Sequence, residues 1–280
     1  MIRLLLTSCI CIIAHTLFYA QSATAVDISA KSVAQVFIKK STDRVTIDGV
    51  LDEAIWSNSG TGAGQFMQYF PQDTIEAQGK TEIYFTYDEE YLYVGIRCHT
   101  TGDRYVTPSM KRDYTFGGND NISVLFDTFN DQNNAFLFGI NPLGVRREAL
   151  ISNGGRQGSD FSGSWDNKWA GEAQTYKDYW TAEMAIPFKT LRFQEGSTRW
   201  RFNSYRNDTQ LNEMSTWIPI PRNQIIMDLN YMGEIVWDEP LRKPSKNVSL
   251  IPYTAAGVTR DYENETQTTA NVNFNVGGDA

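Results

Sequence analysis

The chain has 280 residues, 33 of them acidic against 25 basic, and a formal charge of −8. That balance argues against nucleic acid as a partner, because phosphate binding needs a basic face. His15, Cys9 and Cys11 lie near the N-terminus, which leaves His99 and Cys98 for the rest of the chain. One histidine cannot build a multi-histidine zinc site, no nucleophile motif accompanies it, and one cysteine forms no internal disulfide.

Leu4 to Phe18 is an apolar run preceded by Arg3. It is too short and interrupted to span a bilayer, and it reads as a secretory signal over residues 1–25. Cleavage after Ala25 follows the small-x-small rule at Ala23-Thr24-Ala25; cleavage after Ala20 is the alternative, and Leu6-Thr7-Ser8-Cys9 offers a lipoprotein reading. The remaining chain, about 255 residues, suits one large β domain or one domain plus an extension.

Beyond the signal the pattern is period two. Ile83, Phe85 and Tyr87 alternate with Tyr84 and Thr86. Leu92, Val94, Ile96 and Cys98 share a face, which predicts a buried Cys98. Ile122, Val124 and Phe126 repeat the pattern, as do Phe136, Phe138 and Ile140, and Trp200, Phe202 and Ser204. Alternation places one strand face on a core and the other in water. Short strands between Gly, Asn and Asp clusters predict an all-β antiparallel sandwich over residues 33–238. Helical stubs are expected only around Asp52 to Trp56 and Pro187 to Leu191, where proline suits a first helical position. Prolines and mixed charges at 239–247 read as a linker. Val248 to Val258 and Ala270 to Val276 then read as the first hairpin of a β-barrel over 248–280.

Several segments carry chemistry. Trp165 and Trp169 sit in a stretch rich in glycine and polar residues, where an exposed indole can stack on the C–H face of a sugar. Asp160 and Asp166 would bind hydroxyls beside them; the alternative is that both tryptophans hold down a long loop. Arg206 and Glu213 either join this ligand set or pair with each other at a strand end. Asp127, Asn130 and Asp131 lie in an oxygen-rich run that offers calcium ligands; the alternative is a polar hairpin turn. A glycoside hydrolase needs two carboxylates at a set separation, with Glu148, Asp160, Asp166, Glu183 and Glu213 as candidates.

Four segments in order point further: Ile47 to Trp56, Asp120 to Asp127, Ile140-Asn141-Pro142-Leu143-Gly144, and Trp180 to Leu191. Together they resemble the family-9 carbohydrate-binding module, over about Val45 to Val236. Ser164 to Trp169, Pro187 to Phe193, Tyr205-Arg206-Asn207, Asn212-Glu213, Trp217 to Arg222, Leu250 to Tyr253 and Gly277 to Ala280 resemble a narrower group. In that group of Gram-negative outer-membrane proteins a family-9-like domain precedes a β-barrel; Gln210 departs from its pattern. The resemblance implies carbohydrate binding, calcium supporting the fold, and a sugar held between two tryptophans with a glutamate and an arginine. The first tryptophan would fall at Phe116-Gly117-Gly118-Asn119, the glutamate at Ser123, the arginine near Gly139 and the second tryptophan around Ile226. None of these residue types stands there.

The expected function is therefore glycan binding or handling at the cell envelope, linked to polysaccharide breakdown. The first alternative is a docking or plug domain for an outer-membrane barrel or a protein partner. The second is glycoside hydrolysis. A sugar site predicts aromatics beside a groove with polar groups, a docking domain a broad apolar patch, and an enzyme two facing carboxylates.

Overall fold

The computed structural model describes residues 33–58, 62–73, 75–102, 104–244, 251–259 and 270–279. The expected signal at 1–25 lies outside them. Of the first compact unit, Met1–Val33, only Val33 is described, and everything below concerns the second, Ala34–Ala280.

In chain order the strands are β1 (Gln35–Ile38), β2 (Gly62–Ala63), β3 (Met67–Phe70), β4 (Thr81–Tyr87), β5 (Tyr91–His99), β6 (Asn121–Asp127), β7 (Ala135–Ile140), β8 (Arg146–Ile151), β9 (Phe161–Ser162), β10 (Ala170–Thr175), β11 (Tyr179–Pro187), β12 (Arg199–Asp208), β13 (Glu213–Thr216), β14 (Gly233–Trp237), β15 (Ile251–Thr259) and β16 (Asn271–Asp279). One sheet has nine strands in the order β1-β14-β12-β6-β7-β8-β9, with β13 and β3 continuing from β12. The other runs β10-β11-β5-β4-β2. The pairing is antiparallel throughout except β1 on β14, which is parallel. Helix α1 (Ala54–Asn58) and a 3-10 turn at Phe188–Thr190 match the two expected stubs.

The sheets enclose one core. Phe85, Phe126, Phe138, Trp180, Trp200 and Phe202 are buried there with Ile83, Val94, Ile96 and the free Cys98. Phe85 meets Phe202 edge-on at 5.0 Å, and Trp200 meets Trp237 at 4.9 Å. Each such side chain, fully buried, contributes about 1.5–3 kcal/mol. Burial pushes the Cys98 thiol up to about 12, so it stays a protonated apolar group.

One expectation is corrected. The outward faces of the central strands are not in water. Every residue of β6 and Trp180 to Pro187 of β11 is buried, because later and earlier segments roof both sheets. At the start of the expected linker, 239–247, whose residues 245–247 lie outside the described ones, the chain still touches the sandwich. Leu241 is buried; it donates its N–H to the Ser197 carbonyl and accepts from the Gly196 N–H. Lys243 N donates to Glu195, and Lys40 lies 3.4 Å from Glu239. Further on, β15 and β16 pair with each other in an antiparallel hairpin, and every residue of β15 is exposed.

Candidate functional site

The site lies on the outer face of the nine-stranded sheet. Strand register places Tyr205, Ser123, Gly139 and Arg147 in one row across β12, β6, β7 and β8. Asn203, Leu125, Leu137 and Ala149 form the next row on the same face. Leu125, Leu137 and Ala149 start a second apolar cluster, closed by Met227, Leu229 and Met232 from the chain ahead of β14. That roof is pinned through its backbone. Asn203 donates to the Tyr231 carbonyl at 2.7 Å, Leu229 N donates to the Gly154 carbonyl, and Tyr69 donates its hydroxyl to the Gln224 carbonyl at 2.8 Å.

The roof does not cover the whole face. Between it and the loop before β6 lies a cavity of about 400 Å³, within the range of about 300–1,000 Å³ usual for small-ligand sites. Tyr114, Phe116, Phe161, Tyr205, Ile226 and Met227 line it, together with Arg147. Asn121 fixes the Phe116 loop by donating to the Phe116 and Asn119 carbonyls at 3.0 and 2.6 Å. Phe116 then stands edge-on to Tyr205 at 4.8 Å.

Arg147 reaches this cavity because its neighbour on β7 has no side chain. A Cβ at Gly139 would lie 2.7 Å from Arg147 Cγ and 2.8 Å from Ser123 Oγ. The arginine stem therefore crosses Gly139, and the guanidinium ends 5.7, 5.8 and 5.3 Å from the ring centres of Tyr114, Phe116 and Phe161. Such contacts give about 0.5–2 kcal/mol each. Arg147 is 4% exposed, and among the described residues it has no ion-pair or hydrogen-bond partner. The Tyr114 hydroxyl is also buried without a partner. Burial pushes its pKa up, so it remains a neutral donor.

The residues expected from sequence take other roles. Trp169 is 5% exposed and packs edge-on to Phe138 at 5.5 Å. Its indole N–H donates to Glu148 Oε2 at 3.0 Å, and burial between Phe138 and the Arg146 guanidinium leaves no face free for a sugar. Trp165 is half-buried against Phe136 at 5.2 Å and lines a separate cavity with Phe129 and Leu150. Asp160 accepts the N–H groups of Arg156 and Gln157 and shapes a tight turn. Asp166 is exposed, 3.7 Å from Arg112. Arg206 and Glu213 do not pair. Arg206 is buried with Asp208 at 2.6 Å and donates to the carbonyls of Gly79, Lys80 and His99, tying the sheets together. Glu213 accepts from Gln68 and from the Gln78 N–H.

The calcium expectation does not fit its loop. Asp127 accepts the N–H groups of Phe129, Asp131 and Gln132. Asp131 accepts those of Asn133 and Asn134, and Asn130 accepts from Arg201. These oxygens close a hairpin turn. Among the described residues, no three His, Cys, Asp or Glu side chains gather as a metal site.

The candidate carboxylates Glu148 and Glu183 each have their own partners. Glu148 pairs with Arg112 and Trp169. Glu183, on β11, is buried beneath the segment before α1 and accepts from Asp48 N, Gly49 N and Trp56 Nε1 at 3.0, 2.9 and 2.9 Å. Burial, with Glu53 nearby, pushes Glu183 up to about 7.

Sequence reasoning missed Arg147, Tyr114, Phe161 and Tyr205. The available signal was the pair of positions where the resemblance seats tryptophans. Phe116 and Ile226 both line the cavity, and Arg147 crosses the Gly139 position to which the resemblance assigns an arginine.

No protein-family model matches the sequence, and no curated protein does. Solved structures do. A family-9 carbohydrate-binding module from Caldicellulosiruptor kristjanssonii, in complex with cellotriose, superposes with a TM-score of 0.53 at 12% identity, over 77% of this chain and 100% of that one. A protein from Bacteroides uniformis proposed to bind carbohydrate superposes with a TM-score of 0.58 at 10% identity, over 74% of this chain and 100% of that one. The fold is that of a family-9 carbohydrate-binding module. At this identity the likeness is one of fold, and the family-9-like sandwich here carries its own set of cavity residues.

Proposed function

We propose that the protein binds carbohydrate in the cavity on the outer face of the nine-stranded sheet. The observation that carries this reading is the lining itself. Aromatic rings of Phe116, Phe161 and Tyr205 stand beside two buried donors, Arg147 and the Tyr114 hydroxyl, that have no hydrogen-bond or ion-pair partner among the described residues. A pyranose presents an apolar C–H face to rings and hydroxyl oxygens to donors. The C. kristjanssonii module of the same fold holds cellotriose, which supports the sugar reading. A glycan array probed with the full chain tests it. Binding that falls on Phe116→Ala while the circular dichroism spectrum is unchanged is the expected result. A folded chain that binds no glycan on the array would sink it.

The setting we propose is the envelope of a Gram-negative bacterium, where glycan binding would serve polysaccharide breakdown. The apolar run Leu4 to Phe18 supports export. The β15–β16 hairpin supports attachment to an outer-membrane barrel. Val258, Val272, Phe274 and Val276 are exposed on it, and an isolated two-stranded ribbon cannot bury its own apolar side chains. Fractionation of cells making the full chain should place it with the outer membrane; recovery in the cytoplasm would reject this setting.

A further inference from the structure

The geometry points to a sugar that carries a carboxylate, a uronic acid, as the ligand of this cavity, with Arg147 as the group that binds the acid. This rests on the sugar-binding reading and narrows it.

Three observations converge. First, Arg147 is 4% exposed, faces three aromatic rings and has no acidic partner among the described residues. A buried cation without a counter-charge is disfavoured, and rings compensate it only in part. A guanidinium is donor-only, with a planar fork that matches a carboxylate bidentately. Second, the Tyr114 hydroxyl is a buried donor without a partner in the same wall. Unused donors on two sides favour an acceptor-rich ligand. A neutral sugar hydroxyl would accept one hydrogen bond and leave the charge uncompensated, whereas a carboxylate meets both needs.

Third, the carboxylates that line the cavity leave that role open. Glu148 is engaged by Arg112 and by the Trp169 indole. Asp113 sits exposed at the rim and accepts the Glu148 N–H at 3.3 Å. The chain as a whole is acidic, at −8, so its long-range field repels anions. A preference for an acid would therefore be a contact effect, and it should persist in high salt, which screens surface charges far more than buried ones.

The test titrates the full chain with D-glucuronate and D-galacturonate, their methyl esters, D-glucose, D-galactose and acetate, followed by ligand-observed NMR. At least one uronate should bind about tenfold more tightly than its ester and its neutral sugar, a gap of about 1.4 kcal/mol, and should keep that preference in high salt. Arg147→Met should abolish the preference, Arg147→Lys should weaken it because the planar fork is lost, and Tyr114→Phe should reduce affinity severalfold.

Equal binding of ester and acid overturns the inference and leaves the sugar reading intact. Acetate binding as tightly as the uronates overturns it in favour of a bare anion site. Absence of binding by any sugar overturns both readings. A preference that survives Arg147→Met overturns the role given to that residue. Should the arginine variants fail to fold, the comparison of acid with ester on the unaltered chain still decides.

Discussion

Glu183 and Arg147 occupy equivalent places on the two sheets. Each is an ionisable side chain pointing outward from the strand next to an edge of its sheet, and each is buried because a separate segment covers it. Their surroundings differ. The roof over the five-stranded sheet closes on Glu183 with two backbone N–H groups and the Trp56 indole. Gly49 makes that closure tight: its φ is +85°, and a Cβ there would lie 2.7 Å from the Ala173 backbone. The roof over the nine-stranded sheet stops short of Arg147, which meets aromatic rings from the loop before β6 and from β9 but no acceptor among the described residues. A buried charge whose hydrogen bonds are complete holds a fold together. One whose hydrogen bonds are open is ready for a ligand, since either state is disfavoured unless something completes it.

The largest predicted effect breaks the complete side of that pair. Glu183→Gln leaves N–H donors facing an amide nitrogen and should destabilise the chain by about 2–4 kcal/mol in denaturant unfolding. Arg147→Met removes an uncompensated charge and should change stability by less than about 1 kcal/mol. Equal losses would erase the distinction.

The second prediction is a pH dependence. Glu183 is raised to about 7 in the fold, above its ordinary value of about 4.3 in the unfolded chain. Between these values the folded chain keeps a proton that the unfolded chain has released. Stability should therefore be greatest at the acid end, fall as pH rises through this window, and level off above it. The slope should approach about 1.4 kcal/mol per pH unit at most. Asp127, also raised by burial, acts in the same direction. Urea unfolding across the window checks this, and Glu183→Gln should flatten the curve.

The third prediction sharpens the open side. Phe116→Ala should weaken glycan binding by on the order of 1 kcal/mol, while Trp165→Ala, at the separate cavity, should leave it unchanged in the same titration. The smallest expected effect is none. Calcium and a chelator should each leave the melting temperature unmoved, because the Asp127 and Asp131 oxygens already accept backbone N–H groups.

Much of the fold was legible because strand periodicity is local. Ile83, Phe85, Val94 and Ile96 announce their face by alternation alone, and all are buried. Pro187 stops β11 and opens the short turn at Phe188–Thr190. The place of the cavity was half legible: Phe116 and Ile226 mark its walls. Trp169 misled, because a polar, glycine-rich neighbourhood suggests exposure, yet Glu148 draws its indole inward across a sequence separation of 21 residues.

The sequence by itself determined an all-β chain, its strand faces, its short helical stubs and a buried Cys98, since each follows from neighbours two to four positions away. The tertiary structure decided which outer faces are roofed and which buried charges are satisfied. Arg147 lies in a cavity only because Gly139, on the next strand, leaves room for its stem. Glu183 is buried only because residues 48–56 return over β11. Both outcomes depend on segments far apart in the chain, and hydrogen-bond saturation is settled only once those segments meet.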